Sequence, residues 1–137
     1  MDDVEQVERA MIAIRRRQTR RALGTDAAPT GQAFDVLDVI EASLEPTVSV
    51  VATALAVDQP RASKLVGAAV SSGLVRRVAD QADGRRSVLM LTEQGEQMLA
   101  ESHRRRRAAF DAAMGDWTAR DRADFARLLT RFVDAMP

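Results

Sequence analysis

Val4, Val7, Met11 and Ile14, with Gln18 continuing the series, recur at steps of three and four. That spacing predicts an amphipathic helix with a narrow apolar seam, suited to packing on another helix. Leu23 to Gly31 is rich in Gly, Thr, Asp and Pro and reads as a loop. Thr30 is a plausible N-cap for a second helix carrying Phe34, Leu37, Val39 and Ile40. Glu45-Pro46 ends that pattern, because proline cannot continue a helix and restricts the residue before it. Thr47 caps a short helix, Val48 to Ala56, with Val48, Val51, Ala52 and Leu55 on one face. A tight turn, Ala56-Val57-Asp58, leads into another helix. Asp58 caps it, Pro60 suits its first turn, and Leu65, Val66, Ala69 and Val70 form its apolar side. Gly73 stops it, with Leu74 as the following apolar contact.

The period then changes. Two apolar runs, Leu74 to Val78 and Val88 to Leu91, flank Asp83-Gly84, a hairpin dipeptide. Thr92 opens a long helix with Met98, Leu99, Phe110, Ala113 and Met114. Gly115-Asp116-Trp117 breaks it. Thr118 caps the last helix, with Asp121 at the reciprocal position of a capping box. Phe125, Leu128, Leu129, Phe132, Val133 and Met136 make the cleanest apolar stripe in the chain. It has no evident target inside a small domain, so a helical dimer interface is expected from the first and last helices.

The predicted fold is mainly α with a small β-hairpin wing. Two short helices joined by a tight turn form a helix-turn-helix, and the hairpin makes it winged. One domain of 1–137 is expected. Residues 30–92 form the winged helix-turn-helix lobe, and residues 1–22 and 93–137 supply dimerisation helices.

At 137 residues the chain can bury a real core. Its net charge is zero, so overall charge argues for no particular partner. Its distribution does: from Asp58 to Thr92 six bases stand against three acids. Phosphate contacts are local, so a neutral protein can carry a basic working face. Two other basic runs, Arg15-Arg16-Arg17 with Arg20-Arg21 and Arg104 to Arg107, read more simply as solvated helix surface than as nucleic-acid tracts. Four successive arginines point all round a helix, so one of them leans toward protein. Glu101 and Asp111 lie within helical reach of the Arg104 to Arg107 run as partners.

There is no cysteine, which excludes disulfides, thiolate catalysis and cysteine metal sites. His103 is the single histidine, and no clustered ligand set for a transition metal is evident. Nor is there a nucleophile–base pair or a phosphate-cradling glycine loop, so no enzyme and no cofactor is expected. Met1-Asp2-Asp3 has no signal-peptide core behind it, and no apolar run reaches membrane-spanning length. A cytoplasmic protein, off the membrane, is expected.

The segment Asp83 to Gly95, DGRRSVLMLTEQG, resembles the wing signature of the MarR (multiple antibiotic resistance regulator) family of transcription regulators. Upstream, Val50 to Val66, VVATALAVDQPRASKLV, is similar to that family's helix-turn-helix. The family commonly has arginine where this chain has Lys64, its only lysine. A lysine there keeps a phosphate contact but not a bidentate grip on a base. The resemblance covers nearly the whole chain. It implies a homodimeric, sequence-specific regulator of transcription, a repressor, on a palindromic site in double-stranded DNA. It also implies a small aromatic or anionic effector, which no residue here identifies.

On that layout Gln59, Arg61, Ser63 and Lys64 are the base and phosphate candidates of the recognition helix. Pro60 shapes that helix and can touch a thymine methyl. Thr30 and Gln32, at a helix N-terminus, are phosphate candidates, as are Arg77 and Arg86. Arg85 at the wing tip suits a narrow minor groove, and Asp83 can brace the arginine or the loop. Gly95 suits close packing against the wing. The competing expectation is a winged-helix protein-interaction module that does not bind DNA; its mark would be a wing and recognition helix without basic residues.

Overall fold

The capping residues divide the chain where their chemistry says they should. The computed structural model describes residues 1–22 and 32–137, with the side chains of residues 18–22 excepted. Among the described residues the order is α1 (Asp3–Ala22), α2 (Gln32–Ala42), α3 (Val48–Leu55), α4 (Gln59–Ser71), β1 (Val75–Ala79), β2 (Ser87–Leu91), α5 (Glu93–Ala113) and α6 (Ala119–Ala135). The expected loop from Leu23 to Gly31 and the Thr30 cap lie outside the described residues.

The Thr47 hydroxyl accepts a hydrogen bond from the Val50 amide at 3.2 Å and starts α3. Asp58 Oδ1 accepts from the Arg61 amide at 2.8 Å and starts α4. Each satisfies a donor that the first helical turn leaves free. Between them Ala56 takes the left-handed conformation, with φ 54° and ψ 44°. The Val57 amide donates back to the Ala52 carbonyl at 3.0 Å, which closes the turn. A left-handed alanine costs about 1–2 kcal/mol, so the tightness of this turn is held against local strain. At the end of α4, Gly73 has φ 78°. The Leu74 amide donates to the Ala69 carbonyl at 3.0 Å, which closes the helix in the manner glycine makes easy.

The two strands are antiparallel, with Val75 opposite Leu91 and Ala79 opposite Ser87. β1 starts one residue later than its apolar run, and β2 one residue earlier. The hairpin tip differs from the expectation of a two-residue Asp83-Gly84 turn. The strands are joined by residues 80–86, closed by the Asp80 amide donating to the Arg86 carbonyl at 2.8 Å. Inside that loop a turn runs from Asp83 to Arg86, whose amide donates to the Asp83 carbonyl at 3.0 Å. Gly84 does not need positive φ here. Asp83 starts the turn with its own side chain, so the dipeptide marks the turn's first half and not its two central residues.

The chain divides into two compact units, Met1–Ser102 and His103–Pro137. In the first, Phe34, Val36, Leu37 and Ile40 of α2, Val51 of α3, Ala62 and Val66 of α4, Val75 and Leu89 of the hairpin and Leu99 of α5 form one core. Leu37, Leu89 and Leu99 are fully enclosed. Burying each contributes about 1.5–3 kcal/mol. The Pro46 carbonyl accepts from the Leu89 amide at 2.7 Å and ties the α2–α3 connection to the edge of the hairpin. Thr92 Oγ1 donates to the Gly73 carbonyl at 2.6 Å and accepts from the Gly95 amide at 3.0 Å. One hydroxyl therefore joins the end of α4 to the start of α5. Val4, Val7 and Ile14 on α1 are exposed.

In the second unit α5 continues through the arginine run to Ala113. Of those four arginines Arg106 is the half-buried one. The expected pairing of Asp111 with the run is replaced. Its carboxylate is held by Arg122 of α6 at 2.7 Å. The same guanidinium donates to the Met114 carbonyl from Nε at 3.1 Å and from Nη2 at 2.8 Å. It thus adds donors at the end of α5 to a carbonyl that also accepts from the Trp117 amide at 3.1 Å. Thr118 Oγ1 accepts from the Asp121 amide at 3.1 Å, which is half of the expected capping box. Trp117 meets Phe125 edge to face, ring centroids 5.3 Å apart. No residue of α6 is buried in the chain.

Candidate nucleic-acid interface

Helix α4 separates its residues sharply. Ala62, Val66 and Ala69 face the core, whereas Gln59, Pro60, Arg61, Ser63 and Lys64 are all exposed in the first two turns. The periodicity that buries one side turns Pro60, Arg61, Ser63 and Lys64 away from it, and Gln59 is exposed as the first residue of the helix. Ala52 of α3 and Ala62 of α4 are both buried, and the two helices pack against each other.

Gln32 is the first residue of α2, and its Oε1 accepts a hydrogen bond from Arg61 Nη2. Two candidates far apart in sequence are therefore neighbours, and Arg61 is oriented by a neutral side chain that leaves its charge uncompensated. Thr30, predicted beside Gln32, lies outside the described residues.

The wing carries the other basic candidates. Asp83 Oδ1 accepts from the Arg85 amide at 3.1 Å, so this carboxylate is spent on the loop backbone. Asp80 does the same for Ala82, at 3.0 Å. Arg85 is exposed at the turn, and no ion pair among the described residues holds it or Lys64. Arg77 lies in mid-strand opposite Leu89, away from the tip, and is exposed. Arg86 is placed differently from its neighbour. Its guanidinium lies 3.6 Å from Glu45 and 3.8 Å from Asp80.

The three acids of the basic segment thus have internal work. Asp58 caps α4, and Asp80 and Asp83 hold the loop. The positive charge that remains outward, including that on Arg61, Lys64, Arg77 and Arg85, is what a phosphate backbone would meet. Sequence reading missed the Gln32–Arg61 and Glu45–Arg86 pairs. Each joins residues separated by dozens of positions, and neither has a local signal.

Among the described residues no helix is long and apolar enough to cross a membrane.

No curated protein matches the sequence. A family model described as MarR family matches residues 29–86, which span α2 to the wing turn. Among solved structures the chain is similar to a MarR family protein from Bacillus stearothermophilus. Identity is 20%, over 98% of this chain and 96% of that one, with a TM-score of 0.84. It is similar to the PcaV transcriptional regulator from Streptomyces coelicolor, solved in complex with its natural ligand. There the identity is 25%, over 90% of both chains, with a TM-score of 0.63. It is also similar to Streptococcus pneumoniae FabT, solved in complex with DNA, at 18% identity over 96% of both chains and a TM-score of 0.76. The matched helix-turn-helix and wing turn, on a fold shared along nearly the whole chain, lead to one assignment: residues 29–86 match the MarR family, and the chain has the fold of solved MarR family proteins.

Proposed function

We propose that this protein is a sequence-specific DNA-binding repressor that acts as a homodimer on a palindromic operator and releases it on binding a small effector. The observation that carries the reading is α4. Its polar candidates are all exposed in the first two turns, and the hairpin that follows α4 carries Arg85, exposed, at its tip. A helix of this kind suits the major groove, where base edges carry a full code. A wing arginine suits the minor groove, where width and negative potential matter more.

A dimer is supported by the apolar side chains left in solvent. Phe125, Leu128, Leu129, Phe132 and Val133 of α6 are 36–58% exposed in the single chain. A stripe of that size is more than a monomer ordinarily leaves in water. The similarity to FabT, solved with DNA, supports the partner, and the similarity to PcaV, solved with its natural ligand, supports an effector. Small aromatic or anionic molecules remain the class to test.

The deciding experiment is selection of duplexes from a random-sequence library by the purified full chain. Enrichment of an inverted repeat supports the reading. A protein that selects no DNA at moderate salt, and instead retains a protein partner, would establish the interaction-module alternative.

A further inference from the structure

Arg86 does not share the setting of Arg85. Its backbone closes the wing loop twice, as acceptor from the Asp80 amide and as donor to the Asp83 carbonyl. Its side chain turns toward protein, to Glu45 at 3.6 Å and Asp80 at 3.8 Å. The Asp80 side chain is only 16% exposed, and the Arg86 guanidinium is the cation beside its carboxylate. Glu45 directly precedes Pro46, whose carbonyl accepts from the Leu89 amide. The wing is therefore fastened to the α2–α3 connection at two points, one backbone hydrogen bond and one ion pair.

We infer that Arg86 is a positioning residue for the wing and not a phosphate contact. Resting on the DNA-binding reading above, the inference gives Arg86 two tasks. It holds the loop so that Arg85 is presented outward, and it neutralises two acids that would otherwise face DNA with negative charge. A phosphate that drew the guanidinium away from Glu45 and Asp80 would leave both acids less compensated beside it.

The test compares Arg86→Gln, Glu45→Gln, the double variant and Lys64→Ala in the full chain. The probe is a duplex selected by the wild type from a random-sequence library, titrated over a series of salt concentrations. Amide hydrogen exchange of residues 80–91 is followed in the free protein. The expected result is a loss of affinity of a few fold for Arg86→Gln and for Glu45→Gln, since exposed ion pairs are individually weak. The double variant should be no weaker than the worse single one. Both singles should keep the wild-type salt slope and speed exchange in the wing. Lys64→Ala should instead flatten the slope, by about 0.9 for each phosphate no longer neutralised, and leave wing exchange alone. A flattened slope for Arg86→Gln, with Glu45→Gln binding more tightly than wild type, would make Arg86 a phosphate ligand and overturn the inference. Unchanged wing exchange in both singles would overturn it independently of any DNA. A wild type that selects no duplex, with wing exchange still responding, would sink the DNA-binding reading and leave Arg86 nothing to position.

Discussion

A Cβ on Gly95 would overlap the carbonyl oxygen of Leu74 and come within 3.0 Å of its carbonyl carbon. The first turn of α5 is drawn that close because the Thr92 amide donates to the same Leu74 carbonyl at 3.0 Å and the Thr92 hydroxyl to Gly73. Backbone meets backbone there, and no side chain can swing aside. Gly95→Ala should therefore reverse the usual sign. An alanine in place of a helical glycine normally gains about 0.5–1 kcal/mol. Here it should cost about 1–3 kcal/mol, as overpacking does. Gly67 in α4 is the control, because nothing lies within 4 Å of an added Cβ. Gly67→Ala should stabilise. Denaturant melts of the two variants check the pair.

Arg122 should prove the key polar residue of the second unit. Its guanidinium donates to the Met114 carbonyl, the Asp111 carbonyl and the Asp111 carboxylate. Arg122→Met keeps the stem and removes those donors, and should cost about 1–3 kcal/mol. Arg122→Lys should recover little, because one ammonium cannot span the three acceptors. Thermal melts with helical content as the readout would show it. A melt unchanged in Arg122→Met would mean that these hydrogen bonds add nothing net.

Local chemistry is what the sequence discloses best in this chain. Thr47, Asp58, Gly73, Thr92 and Thr118 act on amides or turns within a few residues, and each could be read by spacing alone. The core was legible for the same reason, since Leu37, Val66 and Leu99 sit on apolar faces with helical period. The pairs Arg122–Asp111, Arg86–Glu45 and Leu89–Pro46 were not legible. Their partners are brought together only by packing, and arginine runs offer many equally good partners on paper. The wing turn was misplaced because Asp-Gly propensity favours a tight hairpin, whereas the Asp83 side chain captures the Arg85 amide and shifts the turn onward.

Leu129→Asp should break self-association before it disturbs the helix-turn-helix. Leu129 lies on the stripe of α6 that the single chain leaves exposed, so a carboxylate there meets water in the monomer and another copy's apolar face in the dimer. Sedimentation should show the wild type as a dimer at micromolar concentration and the variant as a folded monomer. A wild type that sediments as a monomer and still binds DNA would remove the dimer from the account.

Arg85→Ala and Lys64→Ala should fail in different ways. Both side chains are exposed, so neither change should lower the melting temperature. Lys64→Ala should reduce affinity and blur one position of the major-groove half-site. Arg85→Ala should cost about 1–3 kcal/mol and shift preference at A·T-rich flanks. Arg85→Lys should recover little, since an ammonium is more strongly hydrated. Titration against the selected operator and a version with G·C-substituted flanks separates them. If Arg85→Ala binds both as the wild type does, the wing does not enter the groove.

The most direct measurement for the whole account is the sequence that the full chain selects from a random duplex library. Two outward α4 helices related by a twofold axis should enrich an inverted repeat with half-site centres about one helical turn, ~34–36 Å, apart. Binding to it should weaken steeply with salt. Enrichment of a site without inverted symmetry, or no enrichment at all, would contradict the reading of α4 and the wing as a paired DNA-binding surface.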